Sequence, residues 1–63
     1  MGIDEAIAIC KTGKKCRHQC YSNLEYIWWD KWAEVIRFED TTVMDVDTYR
    51  KSSFYSQGWI EIN

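Results

Sequence analysis

The chain has 63 residues and no proline, which leaves room for one domain over residues 1–63, one small core and no separate catalytic lobe. Aromatic residues make up 16% of it, with four tryptophans, more than so thin a core needs, so part of that surface is expected to meet another subunit or a ligand. Net charge is −2 but uneven: Lys11, Lys14, Lys15 and Arg17 supply half of the eight basic residues and eight of the ten acids follow residue 19, which argues against long nucleic acid and leaves room for a small anion.

From the N-terminus, "IDEAIAICKTG" predicts a short helix. Ile3, Ala6, Ile7 and Cys10 fall at i, i+3, i+4 and i+7, Asp4 and Glu5 occupy the first turn, Lys11 the last, and Gly13 is a natural stop. From residue 14 the period changes to two. "KKCRHQCYS" predicts a strand with Cys16, His18 and Cys20 on one side and Lys15, Arg17 and Gln19 on the other, followed by a turn at "SN". "LEYIWWD" and "AEVIRFED", separated by "KW", predict a hairpin. In "TTVMDVDTYRKSSFYSQG", Asp47 is the expected cap of a helical turn over "TYRKSSF". "GWIEIN" predicts a closing strand, with Trp59 and Glu61 on one face and Ile60 and Ile62 on the other. The expected fold class is α+β: one N-terminal helix packed on a small antiparallel β-sheet, assembled as a homo-oligomer.

Three cysteines in a short chain without a secretion signal predict reduced thiols. A metal is not expected at "CRHQC", because on a strand Cys16 and Cys20 stand about 13 Å apart, too far for one ion. Cysteine catalysis is not expected either, since His18 is the only histidine and no oxyanion donors accompany it. No cofactor is indicated. No apolar run approaches the roughly 20 residues of a membrane span, and the chain is read as soluble and cytoplasmic, without a membrane partner.

Tyr26 and Trp28 share one face of their strand and Ile27 and Trp29 the other, so one pair enters the core only if its opposite is exposed or covered by a partner. An aromatic ring beside an arginine is a common way to hold a nucleobase.

The order of "IDEAIAICKTGKKCRHQCY" at the N-terminus and "GWIEI" at the C-terminus resembles the small phage sponge proteins of the Thoeris anti-defence type, which sequester nucleotide immune signals. The resemblance implies a cyclic ADP-ribose isomer or cyclic oligonucleotide as ligand, held without cleavage, in a homodimer or homotetramer in the host cytoplasm. It places Gly13, Lys14, Lys15 and Arg17 at the family's basic turn, Tyr21 where a tryptophan is usual, and Trp59 at the closing tryptophan. His18 and Gly58 depart from the family's pattern. The expected ligand-binding residues are Lys15, Arg17, Tyr21, Tyr26, Trp28 and Trp59, with a nucleotide second messenger and the chain itself as partners. The rival expectation is a small phage inhibitor that binds a host defence or nucleic-acid-processing protein directly, supported by the acidic C-terminal two-thirds and the surplus of aromatics.

Overall fold

The computed structural model describes residues 1–62; Asn63, the last residue of the expected closing strand, lies outside them. Six elements follow one another: α1 Ile3–Cys10, β1 Cys16–His18, β2 Ile27–Asp30, β3 Val35–Phe38, α2 Val46–Lys51 and β4 Trp59–Glu61. The strands form one antiparallel sheet in the order β3-β2-β1-β4, giving the expected α+β class. Among the described residues no helix is long and apolar enough to cross a membrane.

The predicted face of α1 is the one it buries. Ile3, Ala6, Ile7 and Cys10 all enter the core, where Cys16, Ile27, Ile36, Met44 and Trp59 meet them. Removing an isoleucine-sized side chain from water contributes about 1.5–3 kcal/mol, so this stripe outweighs the weak intrinsic helicity of eight residues. Gly13, at φ 99°, turns the chain out of the helix towards β1.

Three local expectations are corrected. β1 stops at His18 rather than running to Cys20, because the His18 imidazole accepts the Cys20 N–H at Nδ1 (3.1 Å) and the Tyr21 N–H donates to the His18 carbonyl (2.8 Å), closing a turn. Cys20 is therefore exposed instead of facing the core with Cys16 and His18. The hairpin turn spans 31–34 rather than Lys31 and Trp32 alone. Asp30 Oδ1 accepts the N–H groups of Trp32 and Ala33, and Glu34 adopts φ 56° to rejoin the ladder. The cap of α2 is Asp45, not Asp47: Asp45 accepts the N–H of Thr48, whereas Asp47 sits in the first turn and pairs with Arg50 at 3.3 Å.

The register sorts the sheet into two unlike faces. Cys16 lies opposite Ile27, His18 opposite Trp59, Trp29 opposite Ile36 and Ile27 opposite Phe38, and these pairs meet α1 and the ring of Tyr49 on α2. On the other face Arg17 lies opposite Ile60 and Trp28 opposite Arg37. Neither helix covers that second face.

Candidate ligand-binding site

Alternation carries the basic segment and the aromatic segment to the same place. Lys15 and Arg17 flank the inward-facing Cys16, and Tyr26 and Trp28 flank its partner Ile27, so all four side chains point to the uncovered face. The β1–β2 ladder is one pair long, Cys16 with Ile27, and across the sheet Trp28 stands opposite Arg37. The Lys15 ammonium lies 4.5 Å from the centre of the Tyr26 ring. Where the α1–β1 loop parts from β2, a cleft opens at the sheet margin between Cys10, Gly13, Lys14, Lys15 and the rings of Tyr26, Trp28 and Trp29; Arg17 is not part of its lining.

Each cation on this face has a different degree of freedom. Arg37 is committed, its Nε donating to Asp30 Oδ2 at 2.7 Å and its Nη1 to the Thr41 carbonyl at 2.8 Å. Lys14 pairs with Glu61 at 3.0 Å on the surface. For Lys15 and Arg17 the described residues supply no carboxylate partner. Two half-buried cations thus share this face with two half-buried rings, Lys15 resting on Tyr26 and neither cation paired with a carboxylate among the described residues. The Trp28 indole is also fixed, because Nε1–H donates to the Phe38 carbonyl at 2.9 Å and draws the ring across β3.

Two of the six expected residues lie elsewhere. Trp59 is 2% exposed in the core, its indole N–H donating to the Tyr55 carbonyl at 2.7 Å, and Tyr21 packs edge-on against it at 5.5 Å. They belong to an aromatic cluster around the fully buried His18, whose ring centre lies 4.8 Å from that of Tyr55 and 5.2 Å from that of Phe54. His18 donates from Nε2–H to the Gln57 carbonyl at 2.8 Å while Nδ1 accepts from Cys20, so both ring nitrogens are engaged. Burial, with the Tyr49 hydroxyl 3.4 Å away, pushes the Tyr21 hydroxyl well above the usual tyrosine range. Trp59 is buried, and Tyr21, half-buried, is packed into the His18 cluster instead of lying beside Tyr26 and Trp28.

Arg37 escaped the sequence reading as a member of the same face, although its alternation with the inward-facing Ile36 and Phe38 was a usable signal. Trp29 and Lys11 were also missed. The Lys11 ammonium sits 4.9 Å from the centre of the Trp29 ring, at the mouth of a hollow between α1, β3 and α2. Most charges around that hollow are spent internally: Arg50 binds Asp4 at 2.8 Å and Asp47, and Asp45 caps α2.

The thiols give no second constellation. Burial first, then the neighbouring Cys16, pushes the Cys10 thiol up to about 12, and burial raises that of Cys16 as well. Their sulfurs lie 3.7 Å from the carbonyls of Ile27 and Ala6, respectively. Among the described residues no three His, Cys, Asp or Glu side chains converge as a metal site. No protein-family model, curated protein or solved structure matches the chain.

Proposed function

We propose that this protein binds a nucleotide signal at the uncovered sheet face and sequesters it without cleaving it, as an anti-defence sponge of a phage. The observation that carries the reading is the Lys15 ammonium 4.5 Å from the centre of the Tyr26 ring, on the face to which alternation also brings Arg17 and Trp28. A nucleotide offers one negative and one flat part, and this face offers a counterpart to each. Sequestration without reaction is the economical reading of a face whose functional groups are lysine, arginine and aromatic rings, with no nucleophile and base in contact.

Self-association belongs to the same reading. Ile60 on β4 and Ile62 just beyond it are 42% and 37% exposed, beside Arg17 and Lys15, and an apolar strip of this kind suits a second copy.

The test is a thermal-shift and calorimetric panel of nucleotide second messengers, cyclic ADP-ribose isomers and cyclic oligonucleotides included, followed by denaturation and chromatography of the ligand. A bound ligand recovered intact supports the proposal. Arg17→Ala is expected to weaken binding by roughly 1–3 kcal/mol, the range for a hydrogen bond to a charged group, and Lys51→Ala on α2 to bind normally. The competing reading, direct docking on a host protein, is favoured by Trp32, 89% exposed at the hairpin tip. Loss of host-protein binding in Trp32→Ala, with no response to any nucleotide, would put that reading first.

A further inference from the structure

We infer that the hollow between α1, β3 and α2 binds a small organic cation, an ammonium group on an apolar body, with the ammonium over the Trp29 indole and the body on Ile7, Ile36 and Met44. This goes beyond the nucleotide-binding reading and does not rest on it: the hollow shares Trp29 with the cleft at Lys15 and no other residue. Its volume is about 390 Å³, within the range of ~300–1,000 Å³ usual for small-molecule sites. The floor is apolar and preformed, since Ile7, Ile36 and Met44 are buried members of the core. The rim is charged, and carboxylates outnumber cations on it, with Glu34, Asp45 and Asp47 against Lys11 and Arg50.

The hollow already holds a cation of its own. The Lys11 ammonium stands 4.9 Å from the centre of the Trp29 ring, inside the ~6 Å at which a cation is drawn to an aromatic face. Lys11 is exposed and has no carboxylate partner among the described residues, so the ring is what holds it there. A ligand ammonium in the same place returns Lys11 to water and adds the burial of its own apolar body against the floor. The sign of the ligand follows from what is left unpaired. Arg50 is spent on Asp4 at 2.8 Å and on Asp47 at 3.3 Å, and Asp45 is bound to Thr48 as the cap of α2. Glu34 has no cationic partner among the described residues. Its backbone is held in the β2–β3 turn at φ 56°, the N–H donating to the Asp30 carbonyl at 2.7 Å, while its side chain is exposed. A ligand cation therefore meets an aromatic face and a free carboxylate. An anion would meet Lys11, but three carboxylates with it.

Isothermal titration of the full chain with phenethylammonium, phenethyl alcohol and hydrocinnamate tests this, since the three carry a positive, a neutral and a negative group on one phenyl body. The cation is expected to bind about tenfold more tightly than the alcohol, and the anion more weakly than either. Lys11→Met removes the resident cation and keeps an unbranched apolar stem, and is expected to tighten the cation by roughly threefold more. Lys51→Met removes the same charge at the end of α2, outside the lining, and is expected to leave the cation near its wild-type affinity. Glu34→Gln is expected to bring the cation towards the level of the alcohol without moving the alcohol. Trp29→Leu is expected to abolish the preference for the cation while the alcohol still binds; Trp29 is half-buried, so if that variant does not fold, the exposed Lys11 and Glu34 variants carry the test. Equal binding of cation and alcohol, tighter binding of the anion, or a Lys11→Met variant that holds the cation no better than Lys51→Met overturns the inference. Each of these outcomes leaves the nucleotide-binding reading to its own panel.

Discussion

Four tryptophans of one chemical type have different work, and burial separates them. Trp59 is 2% exposed and touches His18, Tyr21 and Tyr49, whereas Trp32 is 89% exposed at the hairpin tip. Trp59→Ala is expected to cost about 3–5 kcal/mol in denaturant unfolding, the usual range for deleting a buried large aromatic, and Trp32→Ala close to nothing. Equal costs would mean that the indole cluster is not the centre of the fold. The cysteines are sorted by the same rule. Burial holds Cys10 and Cys16 in the thiol form, Cys10 up to about 12, and only the thiolate attacks a disulfide reagent, so native protein is expected to release one equivalent rapidly from exposed Cys20. Three equivalents should appear after unfolding, and Cys20→Ser should abolish the rapid phase.

The β2–β3 hairpin depends on Asp30 at three points. Its two oxygens serve the turn amides of Trp32 and Ala33 and the Arg37 guanidinium at once. The Arg37 hydrogen bond is the chief reason its carboxyl titrates below the ordinary 3.8, with the Ala33 amide next. A carboxyl depressed by folding stabilises the native state above its unfolded value and loses that contribution as pH falls through the folded one. The melting temperature is therefore expected to fall below about pH 4, and Asp30→Asn to melt lower at neutral pH with a shallower acid slope. Some slope should remain, because Thr42 holds Asp40 down and Thr48 holds Asp45 down in the same way. An unchanged acid slope in Asp30→Asn would show that the hairpin does not draw on the ion pair. This turn also marks the limit of what the sequence made legible. The α1 stripe and the alternation of Lys15, Arg17, Tyr26 and Trp28 are set by local periodicity and could be read from composition and spacing alone. The end of β1 could not, since His18 is held by Gln57 O, 39 residues away. Nor could the fate of Trp59: alternation separates it from Ile60, but only its pairing with buried His18 decides which of the two faces inward.

At the scale of the molecule, a sheet with helices on one side has to live with its other side in water. The uncovered face meets that requirement in two ways. Its centre is tempered by charge, with Arg17, Lys15 and the Arg37–Asp30 pair among the rings, while its β4 margin presents Ile60 and Ile62 without such relief. If a second copy covers that margin, folding and association are linked, and the melting temperature must rise with protein concentration because mass action favours the associated native state. Ile60→Asp places a charge on the strip without touching the core, as Ile60 is 42% exposed and the buried Trp59 faces the other way. This variant is expected to melt as a 7.6 kDa monomer at a temperature independent of concentration, and to bind nucleotide more weakly, since the new carboxylate stands opposite Arg17. Light scattering across micromolar concentrations checks the mass, and scanning calorimetry at two concentrations tenfold apart checks the linkage. A wild-type melting temperature that does not move with concentration, together with a monomer mass throughout, would assign Ile60 and Ile62 to solvent and leave ligand binding as the one role of the uncovered face.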